Sequence, residues 1–212
     1  FISAMMMGYL LKDGIGVKKD LKKSLIVADM AASLGITGGM ILAGEDYELL
    51  KEPEKAFNWY LKAADKGDPL GMSITANCFL NGNGVKKDSA KYFQWILKAV
   101  QAGNKDAMLP LGASYLTGLG ITKDLDSGLY WIQKCIDNNN LLAYIYLGTC
   151  YSRGTGVDKN LKKAFELFQV AADKGDGTAI NDLADCYENG NGVEKDINKA
   201  IELYHKGIDM GN

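Results

Sequence analysis

The 212-residue chain has one histidine, three prolines, four cysteines and no long hydrophobic run. The single histidine, His205, lies near the C-terminus, where we expect an exposed side chain, so nucleophiles elsewhere lack an imidazole base. The cysteines include no C-x-x-C pair, and a chain of this length with 47% hydrophobic residues needs no disulfides to fold. We expect four free thiols that pack as small hydrophobic residues, and no metal site, no cofactor and no enzymatic activity.

The charge and the apolar segments exclude two classes of partner. A formal net charge of −2 gives no basic surface for nucleic acid or for an anionic membrane. No apolar run reaches the roughly 18–20 residues that span a bilayer, so we expect no membrane insertion of this segment. The apolar start, FISAMMMGYLL, has neither a basic region nor a small-residue cleavage site, which argues against a signal peptide within it.

The first residue and the composition bear on the origin of the chain. Because the chain begins with Phe1 rather than methionine, we expect it to be part of a longer protein. The compartment therefore stays open: cytoplasmic, or periplasmic or secreted if a signal peptide precedes the segment. The abundance of Lys, Asn and Ile favours a bacterial source.

Glycine, in contrast, is abundant and recurs in a fixed pattern. The stretch GNGVKKD (82–88) resembles a phosphate-binding loop, and variants of it stand at 14–20, 118–124, 154–160 and 190–196. From the second copy onward the first glycine of each loop returns every 36 residues. A phosphate-binding loop connects a strand to a helix, whereas these loops separate two helical patterns. The loops therefore indicate repeats, and their first glycines are predicted to adopt the left-handed conformation that ends a helix. Those glycines are Gly14, Gly82, Gly118, Gly154 and Gly190.

The period predicts a single array of six units with two helices each, in which the second unit has lost the glycine loop. The approximate units are 1–35, 36–67, 68–103, 104–139, 140–175 and 176–212. Each second helix is predicted to follow a capping residue, and these are Asp20, Asp88, Asp124, Asn160 and Asp196, with Glu52 before Pro53 in the second unit. It is predicted to end at a left-handed residue, and these are Gly35, Gly67, Gly103, Asn139, Gly175 and Gly211.

Apolar residues at fixed repeat positions are expected to form the core. Trp59, Trp95 and Trp131 share one position of the second helix and are predicted to be buried. The loop valine or isoleucine is predicted to pack under its turn, which concerns Val17, Val85, Ile121, Val157 and Val193. Pro110 falls inside a first helix and is tolerated there if the helix starts late, capped by Asp106.

The recurring residues identify a family resemblance. The pattern A-x-x-x-L-G-x-x-Y-x-x-G-x-G-V-x-x-D-x-x-K-A resembles Sel1-like repeats, which are relatives of the tetratricopeptide repeat. AYIYLGTCYSRGTGVDKNLKKA (143–164) and AINDLADCYENGNGVEKDINKA (179–200) match it well, and the resemblance covers essentially the whole chain. It implies an all-α fold, a right-handed solenoid of antiparallel helix pairs whose first helices line a concave face.

The resemblance also implies where a partner binds. Transfer of the geometry of the related repeat places one set of side chains from the first helices on the concave face. Those candidate partner-binding residues are Asn77, Asn81, Leu109, Thr117, Thr149, Arg153, Asn181, Asp185 and Glu188. Because repeat arrays bind through such extended surfaces, the expected function is a non-catalytic adaptor or scaffold that holds a peptide or a folded protein.

Two alternatives to the adaptor stay open. The first is an inhibitor or immunity-type protein that neutralises a single toxin or enzyme. The second is a β-lactam-binding or hydrolysing enzyme, since some cysteine-rich relatives are described as β-lactam-binding. In those relatives cysteine pairs join the two helices of a unit, whereas here Ala143 stands where Cys135 would need a partner.

The two ends of the array are apolar where a repeat protein normally carries polar caps. Phe1 and Ile2 stand at one end, and Ile208 and Met210 at the other. We therefore expect flanking repeats, a capping helix or end-to-end association with another chain.

Overall fold

A computed structural model describes residues 2–210 of the chain, with side chains from Met5 onward. Within these residues the chain forms twelve α-helices and no strand, which confirms the all-α class. The helices are α1 (Ile2–Asp13), α2 (Leu21–Ser33), α3 (Thr37–Leu49), α4 (Pro53–Asp65), α5 (Pro69–Asn81), α6 (Ser89–Gln101), α7 (Met108–Thr117), α8 (Leu125–Asp137), α9 (Leu141–Arg153), α10 (Leu161–Asp173), α11 (Gly177–Asn189) and α12 (Ile197–Asp209).

The helices fall into two compact units. The first unit extends to Ala107 and contains α1 to α6 and a single 3-10 turn, Lys105–Ala107. The second unit begins at Met108 and contains α7 to α12. Within each unit every helix packs against the next helix along the chain, as expected for stacked helix pairs.

The glycine loops end the first helices as predicted. All five first glycines have positive φ angles, between 72° and 79°, and each directly follows the last residue of its helix. Glycine has no Cβ and adopts this left-handed conformation at little cost. In the second repeat, which lacks the loop, Lys51 adopts the left-handed conformation after α3 with φ 60°. After the second helix α8, Asn139 adopts it with φ 59° at a position where the other repeats have glycine. Gly211, Phe1 and the side chain of Ile2 lie outside the described residues.

The predicted capping residues begin the second helices. The side chains of all five accept a hydrogen bond from the backbone N–H three residues further on, as in the 2.9 Å bond from Lys91 N to Asp88. Glu52 makes no such bond, and Pro53 occupies the first helical position, where its missing N–H costs nothing. The five capping residues predicted for the repeats with a glycine loop are confirmed, whereas Glu52 does not act as a side-chain cap.

The prediction of a tryptophan core is wrong by one residue. Trp59, Trp95 and Trp131 are half-buried, and Lys62 and Lys98 place their ammonium groups over the first two rings. The buried position is instead the next one along the helix. In the first five repeats it is occupied by Ala28, Tyr60, Ile96, Ile132 and Phe168. A step of one residue turns a helix by about 100°, so the two positions face different surroundings.

The loop valine is not a general core position either. Val157 is buried, and Val85 and Val193 are half-buried, but Val17 and Ile121 are exposed. The loop backbone is already fixed by the left-handed glycine and by the N-cap, so the turn does not depend on burial of this side chain.

Helix α7 starts late, as Pro110 requires. It has ten residues instead of thirteen, and a 3-10 turn replaces its first turn. The side chain of Asn104, not that of Asp106, supplies the acceptor at this start: its Oδ1 accepts from Asp106 N at 3.0 Å. Pro110 is therefore the third residue of the helix, where its missing N–H removes no helical hydrogen bond.

One charged group is buried in the first unit. Asp46 on α3 is fully buried, and neither carboxylate oxygen has a hydrogen-bond partner among the described residues. Ser24 lies nearby, but its hydroxyl donates to Gly8 O at 3.0 Å and has no second proton to give. Burial raises the pKa of Asp46, the charges of Glu45 and Asp13 raise it further, and Ser24 and Lys12 oppose the rise. The neutral carboxyl fits this site better than the carboxylate.

Candidate functional site

Two of the predicted binding residues lie in the first unit. Asn77 and Asn81 are on α5, both are exposed, and neither side chain makes a hydrogen bond within residues 2–210. Their amide groups are therefore open to solvent and to a ligand. The structure brings no other predicted residue to them within this unit.

The α7 residues of the predicted set differ in exposure. Leu109 is half-buried and packs against the hydrophobic cluster that includes Ile132 and Cys150. Thr117 is exposed, and its hydroxyl donates to Ala113 O at 2.8 Å. Leu109 therefore contributes to the core of the second unit, whereas Thr117 presents a hydroxyl at the end of its helix.

Three predicted residues converge on one cleft in the second unit. The cleft has a volume of about 170 Å³ and lies between α9 and α11, with α10 contributing its floor. Thr149 and Arg153 line it from α9, and Asp185 lines it from α11. The other lining residues are Ser152, Leu161, Ala164, Phe168, Asp182, Cys186 and Asn191.

Helix geometry and repeat spacing explain the convergence. Thr149, Ser152 and Arg153 follow the i, i+3, i+4 spacing of one helix face, and so do the α11 residues of the cleft. The buried ring of Phe168 closes the floor. Helix α9 comes close to this ring because Gly148 has no side chain, and a Cβ there would stand 2.6 Å from the ring.

The electrostatics of the cleft are unbalanced. Asp182 is half-buried and makes no hydrogen bond or ion pair with the other described residues. Burial raises the pKa of Asp182, the charges of Asp185 and Asp176 raise it further, and the guanidinium of Arg153 lowers it. Arg153 is exposed and has no ion-pair partner within residues 2–210, so both charges remain available to a ligand.

The acidic end of α11 is tied to α12. The Tyr204 hydroxyl lies within hydrogen-bond distance of Asp185 Oδ1 and 2.7 Å from Glu188 Oε2. It has one proton to donate, so the two carboxylates share it. The hydrogen bond to Asp185, with burial and the bond to Glu188, raises the pKa of Tyr204. Two predicted residues are thus held in place by a tyrosine that the sequence reasoning did not select.

Two more residues of α11 need a separate account: Asn181, which was predicted, and Asp182, which was not. Asn181 is half-buried on α11, where its side chain contacts Gly207 so closely that a Cβ there would clash with its Oδ1. Asp182 was missed because the geometry transferred from the related repeat excluded its position. Its spacing of three residues from Asp185 is the one sequence signal that pointed to a shared helix face.

The residues with nucleophilic or metal-binding chemistry lie elsewhere. The four cysteines are free and buried, and burial raises the pKa of Cys78, Cys135 and Cys186 to about 11. These thiols therefore stay protonated near neutral pH. His205 is exposed on α12. Within the described residues no group of three or more histidine, cysteine or acidic side chains is placed to hold a metal ion.

The paired helices and the recurring glycine loops define an α-helical repeat protein. Six Sel1 repeats match the chain, at residues 2–36, 28–68, 69–104, 105–140, 141–176 and 177–212. The chain belongs to the Sel1 repeat family. Members of this family are generally protein-interaction modules.

Solved structures with this fold come from several bacteria. One is c5321, a protective antigen present in uropathogenic Escherichia coli strains, with a TM-score of 0.80 and 30% identity. The match covers 99% of this chain but 46% of that protein, so this chain spans less than half of its length. A Sel1 repeat protein from Oxalobacter formigenes has a TM-score of 0.79 and 25% identity over 99% of this chain and 87% of its own.

A third structure shares the fold at lower identity. The immunity protein PA5088 from Pseudomonas aeruginosa has a TM-score of 0.56 and 17% identity, over 97% of this chain and 82% of its own. No curated protein sequence matches the chain. Across residues 2–210 no helix is both long and apolar enough to cross a membrane.

Proposed function

We propose that the chain is a non-catalytic interaction module that binds a peptide segment or a folded protein on the face of its first helices. The observation that carries the proposal is the cleft between α9 and α11, where the charged groups of Arg153 and Asp182 have no hydrogen-bond or ion-pair partner among the described residues. Membership of the Sel1 repeat family supports the class of function.

The cleft residues are not explained by the needs of the fold. The core of the last two repeats is built from small and apolar side chains, among them Ala164, Phe168 and Leu183. Asp182 instead has a half-buried carboxyl with a raised pKa and no compensating hydrogen bond, which lowers the stability of the fold. A partner that supplies a donor to this carboxyl would offset that cost on binding.

The mixed lining suits a polypeptide ligand. Arg153 and Asp185 offer charges of both signs, and Thr149 and Asn191 add groups that can bond to a peptide backbone. Phe168 and Leu161 supply an apolar floor for a side chain. A few placed polar groups around an apolar floor are typical of sites that fix the orientation of a ligand.

The remaining predicted residues offer polar groups within each unit taken separately. In the second unit, Thr117, Asn181 and Glu188 offer polar groups at the ends or faces of first helices, and in the first unit Asn77 and Asn81 offer amides that make no hydrogen bond among the described residues. Leu109 contributes less, since it packs into a hydrophobic cluster.

The chemistry of the described residues supports binding over catalysis. The thiols are protonated and buried, and His205 is exposed, so neither forms a nucleophile activated by a neighbouring base. No observation favours β-lactam binding or hydrolysis. The immunity protein from P. aeruginosa shares only the fold with this chain, so the likeness does not favour an inhibitory role over an adaptor role. The identity of the partner would distinguish the two roles.

The test is capture of partners from the source cell, followed by titration of the purified partner. Two cleft variants, Arg153→Glu and Asp182→Asn, are compared with Lys162→Glu, an exposed residue of α10 that undergoes the same change of charge as Arg153. We expect at least about tenfold weaker binding for both cleft variants and unchanged binding for the control.

Each outcome decides between the hypotheses. Equal affinity of all four proteins would show that the cleft is not the binding site. Failure to capture any partner would overturn the interaction module itself. A single tightly bound enzyme or toxin whose activity is lost in the complex would identify an inhibitor, and a partner that keeps its activity would identify an adaptor.

A further inference from the structure

The cleft between α9 and α11 carries two charges that the other repeats lack at the same positions. The position of Asp182 is apolar elsewhere, where it holds Met6, Leu42, Ile74, Pro110 and Tyr146. The position of Arg153 has no other basic residue, since it holds Asp13, Leu49, Asn81, Thr117 and Asn189. First helices thus form without an acid at the one position and without a base at the other. The role of the two charges therefore lies outside the fold of the repeat.

The size of the cleft limits what it can hold. Its volume of about 170 Å³ is well below the roughly 300–1,000 Å³ of sites that enclose a small-molecule ligand. It therefore suits one side chain of a larger partner rather than a whole cofactor. Phe168 at the floor is 5% exposed, and Leu161 and Ala164 line the cleft beside it. The inner part of the bound side chain would contact these apolar atoms.

The charged groups of the cleft favour a cation. Asp182 and Asp185 line it from α11, whereas Arg153 is the one basic lining residue. The charge of Asp176 is also close enough to contribute to the raised pKa of Asp182. Asp182 is half-buried, and its carboxylate has no hydrogen-bond donor among the described residues. A positively charged donor at this place would form a stronger bond than in open water, because the surroundings are partly shielded from solvent.

The arrangement of acceptors favours arginine over lysine. Asp182 and Asp185 are three residues apart on one face of α11, and the Tyr204 hydroxyl holds the Asp185 carboxylate in place by a hydrogen bond. Thr149 and Asn191 add neutral oxygen acceptors to the lining. A guanidinium group has five N–H donors in a planar fork and stacks on aromatic rings, whereas an ammonium group is a compact charge with three donors.

Arg153 stands on the opposite wall from these acids. Its side chain is exposed, so its charge lies at the mouth of the cleft, where it would meet the residue next to an inserted side chain. An acidic residue of the partner at that place would pair with Arg153 and would offset the repulsion between the two cations. The two walls thus match an arginine with an acidic neighbour.

We propose that the cleft receives an arginine side chain of a protein partner, which pairs with Asp182 and Asp185 while its stem packs on Phe168, and that Arg153 binds an acidic residue beside this arginine. The inference rests on the proposed function, because it names the group that the same cleft binds. Recognition of this kind depends on the charge of one partner side chain, and this dependence can be measured with short peptides.

The probe is an acetylated and amidated pentapeptide with arginine at its centre, a glutamate on each side and an alanine at each end. Binding is followed through the amide resonances of α9 and α11 in NMR spectra of the isotope-labelled chain. We expect a dissociation constant of about 1 mM, since the cleft encloses a single side chain. A citrulline peptide, which keeps the shape of arginine without its charge, should bind at least about tenfold more weakly. A lysine peptide should bind at least about threefold more weakly.

Variants of the chain connect the peptide to the proposed contacts. In Asp182→Asn the arginine and citrulline peptides should bind equally, because the carboxylate that distinguishes them is gone. Asp182→Leu gives this position the residue type of Leu42, so it should keep the fold and lose the arginine peptide. Replacement of both peptide glutamates by glutamine should weaken binding to wild type but not to Arg153→Gln. The control is Asp65→Asn, which removes an exposed acid of α4 and should keep the wild-type preference for arginine.

Three results would overturn the inference. The first is equal affinity of wild type for the arginine peptide and for either the citrulline or the lysine peptide. The second is an unchanged preference for arginine in Asp182→Asn. The third is the absence of saturable binding up to about 20 mM arginine peptide, far above the expected dissociation constant. The proposed function would survive each of these if a captured partner still lost affinity in Asp182→Asn, whereas a partner that bound all cleft variants equally would contradict it.

Discussion

Replacement of Ile132 by alanine tests which helix face forms the core of the second unit. Ile132 on α8 is fully buried in the cluster that includes Leu116, Ala143 and Cys150. Its Cγ1 also lies against the α7 backbone, since a Cβ at Gly112 would be 2.8 Å from it. The loss of three carbon atoms costs about 2.4 kcal/mol in transfer free energy at about 0.8 kcal/mol each.

The cavity left behind adds to this cost. Gly112 has no side chain that could move into the space, so we expect a total loss of about 3–4 kcal/mol in the free energy of unfolding. Trp131 is larger but half-buried, and its ring packs edge to face on Tyr130, which is itself exposed. Trp131→Ala should therefore cost about 1–2 kcal/mol in spite of the greater volume removed.

The assay is urea unfolding followed by far-UV circular dichroism, because the signal does not depend on tryptophan. Equal slopes against urea concentration would show that the same transition is compared in each variant. Ile26→Ala on α2 is the control, since Ile26 is exposed and its loss should cost less than about 0.5 kcal/mol. A cost below about 1 kcal/mol for Ile132→Ala, or a larger cost for Trp131→Ala, would refute this assignment of the core face.

Three further changes have defined outcomes. Wild type should lose stability as pH rises through the raised pKa of Asp46, and Asp46→Asn should remove this part of the pH dependence. Parallel curves of the free energy of unfolding for the two proteins from pH 4 to 8 would contradict this. Asp176→Ala removes a 3.0 Å cap to Ala179 N and should cost about 1 kcal/mol, whereas Asn140→Ala, at the same repeat position without a cap bond, should cost clearly less in the same urea titration. Lys51→Gly should stabilise the chain by about 1 kcal/mol and so raise the midpoint of thermal unfolding, because it removes a non-glycine residue from the left-handed conformation. An unchanged midpoint would argue against backbone strain at this position.

The candidate site was partly predictable from the sequence. Thr149, Arg153 and Asp185 were selected by transferring the geometry of the related repeat to the first helices, and all three line the cleft. Asp182 was not selected because the geometry transferred from the related repeat excluded its position, and Tyr204 was not selected because its role depends on a contact between helices. The Tyr204 hydroxyl reaches Asp185 and Glu188 from the neighbouring helix, and no local pattern encodes that reach.

The sequence by itself determined the features that act within a few residues of the chain. The repeat period, the left-handed glycines and the capping residues follow from backbone sterics and local hydrogen bonds, and they suffice to recognise a Sel1 repeat protein. Those features hold wherever the neighbouring helices lie.

Only the tertiary structure decided which face of each helix is buried. It places Ile132 in the core and leaves Trp131 half-buried, and it encloses the carboxylate of Asp46 without a hydrogen-bond partner among the described residues. Burial depends on helices that are distant in sequence, and a rotation of about 100° separates adjacent residues on a helix. Hydrophobicity alone therefore cannot choose between neighbouring positions, and the packing of the next repeat makes the choice.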